Sequence, residues 1–294
     1  MNMISLEFFT PAEALREYIS TYHLLKIDTQ GGEPVRDRLH PEWGNIRFFF
    51  EGEMHGATLG QEPVLQPDAI IVGPTSHATP LEASSCSVFG VGLQPLGWAA
   101  LIGENASRYA NRADDLSVIL GEDKTMAAVS GLRNADSNEE RVALIDRLML
   151  GRVGLFKFDR ARILKVHAAL TNPDFRTVGE LEESLNLSHR QFELTAKSVF
   201  GFGPKTLLQS QRFARTLGQA MLAPESEWAR ILDLAYYDHA HFIRDFKRFM
   251  GMTPTQYMSI PHPVVAAGAV QRASFAGAPM QVLHQPAEAE EDDR

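Results

Sequence analysis

One cysteine in 294 residues leaves Cys86 without a second thiol to bond and rules out a cysteine-built metal cluster. Long apolar runs are also missing: no window approaches the ~18 consecutive apolar residues of a membrane helix. The opening MNMISLEFFTPAEAL lacks the basic start and apolar stretch of a signal peptide. Enzyme signatures are missing too, with no nucleophile elbow, phosphate-binding glycine loop or His-Glu-x-x-His pattern. His40, Glu42, His55 and His77 are scattered, without the closely spaced His and carboxylate ligands of a metal-holding barrel. The expectation is a cytoplasmic protein with no membrane span, no cofactor, no metal and no catalytic residue.

Positive charge is in deficit as well. The formal net charge is −9, from 28 basic and 37 acidic residues. The deficit is uneven: residues 157–260 hold 14 Lys and Arg against 11 Asp and Glu, a net of +3. The remainder holds 14 against 26, a net of −12. That asymmetry makes 157–260 the region to test for an anionic partner.

What is present is a pattern that occurs twice, 50 residues apart. His189 recurs as His239, Phe192 as Phe242, Lys197 as Lys247, Gly201 as Gly251 and Pro204 as Pro254. Such a repeat shows which unit was built twice. Thr177-Val-Gly-Glu180 and Ser188-His-Arg-Gln191 have capping-box form, and Thr253-Pro254-Thr-Gln256 combines a cap with Pro at the first helical position. Ser226 and Asp238 are the caps expected in copy two. Copy one therefore predicts a short helix from Val178, a break at Asn186-Leu187 and a helix from His189 to Phe200. Copy two predicts a helix from Glu227, a break near Tyr236-Tyr237 and a helix from His239 to Met250. A helix over Lys205–Leu222 joins them. Each copy reads as a helix-turn-helix. The expected cores are Val178, Leu181, Leu185, Phe192, Ala196 and Val199, matched by Trp228, Ile231, Ala235, Phe242, Phe246 and Phe249. The outward faces hold His189, Arg190, Glu193 and Lys197 in copy one. Copy two offers His239, His241, Arg244, Lys247 and Arg248. Side chains of these types can reach base edges or phosphates.

Upstream, Tyr22–Ile27, Ile46–Phe50, His55–Leu59, Ala69–Val72 and Val88–Leu93 are short apolar segments between turn residues, as in an antiparallel sandwich or small barrel. From Gly97 the period turns helical, notably over Asn138–Gly151, giving an arm that packs on the barrel or pairs with a second subunit. A helix from Phe158 to Leu170 ends at Asn172-Pro173. Gly151 and Gly154 mark a boundary. After Ile260 the composition becomes Ala/Val/Gly-rich and ends acidic, which predicts an unstructured tail. The fold class is α+β with two domains, an N-terminal antiparallel barrel or half-barrel with a helical arm and a C-terminal all-α domain. The divisions are 1–153 for sensing or dimerisation, 154–260 for DNA binding and 261–294 for the tail.

The run from Tyr237 to Tyr257, with Leu187-Ser188-His-Arg190-Gln-Phe192 through Pro204, resembles the tandem helix-turn-helix domain of AraC-type bacterial transcription regulators. The resemblance covers residues 157–260, about a third of the chain. It departs at Leu194, where the family often has Arg, at Ala196, where it often has an aromatic, and at Ala235, where glycine is common. It implies double-stranded DNA as partner, the two second helices entering successive major grooves, with copy two anchoring and copy one positioning. RNA polymerase and a second copy of the chain are further partners it implies. His40-Pro-Glu-Trp43-Gly-Asn-Ile-Arg47-Phe and Val88–Gly97 resemble the cupin-like sensor domains of such regulators. They imply a small-molecule effector, with His40, Trp43, Arg47 and His77 as first candidates to contact it. The competing expectations are a metal-dependent cupin-like enzyme fused to a DNA-binding domain, and a constitutive regulator whose N-terminal domain only dimerises.

Overall fold

The computed structural model describes residues 3–56, 64–222, 236 and 239–276. Its strands are β1 Met3–Phe9, β2 Ile19–Asp28, β3 Val35–Leu39, β4 Asn45–Gly56, β5 Val64–Leu65, β6 Ala69–Val72, β7 Thr79–Leu93 and β8 Ala113–Asp115. All are joined antiparallel along the path β1-β2-β7-β4-β6-β8, with β3 on β7 and β5 on β4. The path does not close on itself, so the sheet is open, a half-barrel. β7 is its spine: β4 pairs along one edge, while β2 and then β3 share the other.

Both faces of the sheet are buried at its centre, which is why β6 and the second half of β7 read as nearly continuous apolar runs. Period-two alternation still sorts them. Leu24, Phe48, Phe89 and Val91 enter one core, and Leu25, Phe49, Val88 and Met54 enter the other.

Besides short helical turns at Glu13–Leu15, Pro95–Gly97, Trp98–Ile102, Ala106–Arg108 and Ser117–Leu120, the helices among the described residues are α1 Glu122–Asn134, α2 Asn138–Leu150, α3 Arg160–Thr171, α4 Val178–Leu185, α5 His189–Phe200, α6 Pro204–Leu222, α7 His239–Met250, α8 Pro254–Met258 and α9 Pro263–Ala276. Leu132 of α1 and Ile145 and Met149 of α2 are fully buried in the first sheet core. The Tyr22 hydroxyl donates to Asp146 of α2 at 2.8 Å. The arm thus packs on the sheet of its own chain. Ser137 caps α2, accepting from the Glu140 amide.

The helix-turn-helix geometry follows the local signals. All three capping boxes form, at Thr177/Glu180, Ser188/Gln191 and Thr253/Gln256. Leu181, Leu185, Phe192, Ala196 and Phe200 make the first unit's core together with Val166 and Leu170 of α3. Phe242, Phe246 and Phe249 pack around Phe213 of α6, with Tyr257 of α8 completing the second. The expected helix from Glu227, with Trp228, Ile231 and Ala235, and the caps Ser226 and Asp238 lie outside the described residues.

Two expectations are corrected. His55 belongs to the end of β4 rather than to a separate strand, the rest of that segment falling outside the described residues. The chain after Ile260 is not structureless from residue 261, because α9 docks on the second face of the sheet with Val264 in its core. The agent is Asp37 of β3, whose side chain has no solvent exposure. It accepts from the amides of Val264 and Val265 at 2.8 and 2.9 Å and contacts His262 Nδ1 at 3.0 Å. A carboxylate at the first turn of a helix satisfies amides that have no partner inside the helix and complements the helix dipole. Asp37→Ala leaves those donors buried and unmatched, at a cost of about 1–3 kcal/mol. Hydrogen exchange is expected to show loss of amide protection over 263–276, with the helices of the first unit unaffected; unchanged protection would remove Asp37 as the anchor.

Candidate nucleic-acid interface

α5 and α7 stand at equivalent places in the two units, each with an exposed face. On α5, His189 and Arg190 are exposed, and His189 Nδ1 lies 2.6 Å from Glu182 of α4. Lys197 pairs with the half-buried Glu193 at 2.8 Å, one helical turn away. On α7, His239, Arg244, Lys247 and Arg248 are exposed. Arg248 donates to Gln209 of α6 at 2.6 Å, which draws it toward the linking helix.

His241 is placed differently from its neighbours. It is half-buried at the seam between α6 and α7, where its Nε2 lies 3.2 Å from Arg212 and 3.8 Å from Asp245. Asp245 is buried, and Arg212 donates to it at 2.9 Å while lying over the Tyr236 ring at 4.7 Å. This charged seam fixes α7 on α6, and the repeat spacing gave no sign of it. Arg212 lies 33 residues upstream of Asp245 in a helix otherwise read as a connector.

The sheet reaches both units. Trp43, just before β4, is buried edge-on against Phe200 at 6.0 Å between ring centres, inside the first unit's core. The 73–78 loop between β6 and β7 touches both. Its Pro74 lies against Gly201, the left-handed residue that ends α5 (φ 84°), where an added Cβ would come within 3.1 Å of the proline ring. At the other end of the loop Ala78 is fully buried in the second unit's core, and its amide donates to the Phe249 carbonyl at 2.7 Å. His77 lies in this loop with Nδ1 3.1 Å from the Ser76 hydroxyl.

A cavity of about 140 Å³ lies between the sheet and α9. His40 and Arg47 line it, as do His23 and Arg272; Trp43 and His77 do not. Of the four candidates for effector contact, the fold thus brings two together and spends the other two on loop and packing roles. Arg47 is ion-paired with Glu42. His23 packs against Gly90 of β7, where an added Cβ would come within 2.0 Å of the imidazole. His40 Nε2 lies 2.7 Å from the Tyr257 hydroxyl. An adjoining cavity of about 180 Å³ shares Arg47, Leu39, Met54 and Leu81. Among the described residues no group of three His, Cys, Asp or Glu is placed to hold a metal ion. No described helix is long and apolar enough to cross a membrane.

Burial pushes both His23 and His40 down to about 3, with Arg272 and Arg47 adding to the effect on His23 and His262 to that on His40. Unfolded, each takes up a proton near the ordinary 6.5. Between those values the unfolded chain holds more protons, so their contribution to stability is complete above pH 6.5 and is lost as pH falls toward 3. Thermal melting is expected to show a lower midpoint at pH 5 than at pH 7, and a flatter pH dependence in a His23→Gln/His40→Gln variant. An equally steep dependence in that variant would place the acid sensitivity elsewhere.

Comparison with known families matches residues 181–259 to the model of a helix-turn-helix domain and residues 7–114 to a domain of unknown function (DUF6597). No curated protein matches the chain. Among solved structures, ToxT from Vibrio cholerae is similar at 11% identity, covering 88% of this chain and 98% of that one, with a TM-score of 0.44. The AraC-like transcriptional activator CuxR is similar at 9% identity over 78% of this chain and 91% of its own, with a TM-score of 0.30. An RmlC-like cupin protein from Desulfovibrio desulfuricans is similar at 14% identity over 30% of this chain and 79% of its own, with a TM-score of 0.24. The helix-turn-helix match falls on the stretch in which α5 and α7 present their exposed faces, and it points to a regulator rather than an enzyme. The chain carries an AraC-type helix-turn-helix domain at residues 181–259 and is a DNA-binding transcription regulator.

Proposed function

We propose that the chain recognises a specific duplex site by placing α5 and α7 in two adjacent major grooves, and that a small molecule in the cavity between sheet and α9 adjusts that binding. Residues 154–260 do the reading and residues 1–153 the sensing, in the cytoplasm and without catalytic activity. The observation that carries the DNA reading is the equivalence of α5 and α7, each exposing basic side chains on the corresponding face: Arg190 and Lys197, Arg244 and Lys247. A solvated basic helix is common. Two in register are what a duplex read from one side requires, because its major grooves recur every ~34 Å. The 19 residues of α6 reach about 28 Å at 1.5 Å per residue, close to that repeat.

The sensing half rests on the cavity. Its wall is mainly apolar, with His23, His40, Arg272 and the Arg47–Glu42 ion pair as the polar groups that would orient a guest. Arg272, Val264 and Ala269 come from α9, which directly follows the second unit. A guest that shifts α9 therefore pulls on the chain leaving α8.

Arg244 and Lys247 test the reading in different ways. Arg244→Ala is expected to weaken binding to the selected site by about 1–3 kcal/mol while leaving non-specific duplex binding nearly unchanged. Lys247→Ala is expected to weaken both and to lower the slope of log affinity against log salt by about 1. Wild-type affinity for the selected duplex in both variants would take α7 off the reading surface.

A further inference from the structure

At one equivalent position on their outward faces the two second helices carry side chains of opposite chemistry. Residue 194 of α5 and residue 244 of α7 stand 50 apart in the repeat, and one is leucine where the other is arginine. Leu194 is 59% exposed and is not among the residues of the first unit's core. It lies one turn beyond Arg190 and one turn before Lys197, so all three share the outward face. Of the charged groups beside it, His189 lies 2.6 Å from Glu182, Lys197 pairs with Glu193 at 2.8 Å, and Arg190 is exposed. The middle of the α5 face is thus a leucine between two basic side chains, while the matching place on α7 is a guanidinium.

We propose that Leu194 is a specificity-determining residue that reads the C5 methyl of a thymine, so that the half-site under α5 prefers T where the half-site under α7 prefers G. This rests on the reading above, that α5 lies in a major groove. A leucine side chain neither donates nor accepts hydrogen bonds and gains nothing from a phosphate. The apolar group that base pairs present in the major groove is the thymine methyl. Arg244 has the complementary chemistry, a planar fork that donates to guanine O6 and N7. The repeat thus supplies two readers of different kind on one scaffold, and the operator they select is asymmetric.

The test uses the full chain. A duplex is selected from a randomised pool, and each thymine in it is then replaced singly by deoxyuridine, which removes the methyl and keeps the pairing edge. The wild-type chain is expected to lose about fourfold in affinity at one thymine of the α5 half-site, the share of a single buried methyl group. Leu194→Ala is expected to bind the thymine duplex more weakly and not to distinguish thymine from uracil there. Leu194→Arg is expected to shift selection at that base pair toward guanine. Circular dichroism checks that both variants keep their helices. If no thymine is sensitive, or if the sensitivity survives Leu194→Ala, the assignment of Leu194 is overturned while sequence-specific binding stands. If the full chain selects no sequence at all, the placement of α5 and α7 in the grooves fails, and this proposal fails with it.

Discussion

The amide of Ala78 donates to the carbonyl of Phe249 at 2.7 Å, joining a loop of the sheet to the last turn of α7. Five residues earlier in the same loop Gly73 accepts close contact from Tyr109, and Pro74 then lies against the end of α5. The loop is itself held, since Thr75 and Glu42 exchange hydrogen bonds at 2.9 Å in both directions and Ser76 donates to Asn111 at 2.7 Å. A short, multiply tied segment of the sheet thus touches both helix-turn-helix units. α6 joins those units along the chain, with Leu207 in the first core and Phe213 in the second. The 73–78 loop, with Trp43 in the first unit's core, adds the second point of support that sets their relative orientation.

The same logic links the cavity to the second unit. Tyr257 is buried among Phe246, Phe249 and Met250, its hydroxyl lies 2.7 Å from His40, and its ring stacks on His262 at 3.8 Å. His262 in turn contacts Asp37, the anchor of α9. One residue of the second core, one cavity histidine and the start of α9 are therefore in direct contact, so a displacement at the cavity wall has a short physical route to α7. Arg272 over the Phe8 ring at 4.8 Å, and Phe8 stacked on Phe275, seat the other end of α9 on β1.

Features encoded locally were legible in the chain. Capping boxes depend on residues three apart, and the helix-turn-helix core repeats the same side chains at the same offsets, so α4 to α7 could be read with few errors. β6 and the second half of β7 were legible because both of their faces are buried. Features encoded at a distance were not. β3, Val-Arg-Asp-Arg-Leu, looks like a charged loop until Asp37 meets a helix some 225 residues away. α9 is rich in Ala and Gly, which suggested no structure, yet small residues such as Gly268 let its backbone lie close to Leu6. α1 escaped notice because its buried Ala128, Val129 and Leu132 are interspersed with polar residues. Trp43 looked like an effector contact because it sits among His40, Glu42 and Arg47. Its partner Phe200 is remote in sequence, and only the fold shows that the ring is used for packing. His241 shares the periodicity of a reading residue but belongs to a charged seam whose other members the repeat does not mark.

The sheet, through the 73–78 loop, holds the ends of α5 and α7 in one relative orientation. Because Cys86 is buried, spin labels can be confined to cysteines introduced at Arg190 and Lys247, and the distance between them measured by double electron–electron resonance in the full chain. One narrow distance is expected in the otherwise wild-type chain, and a broadened distribution when Ala78→Glu forces the loop out of the second core. A distribution that stays equally narrow in the Ala78→Glu chain would leave the orientation to α6 alone and overturn the role of the loop.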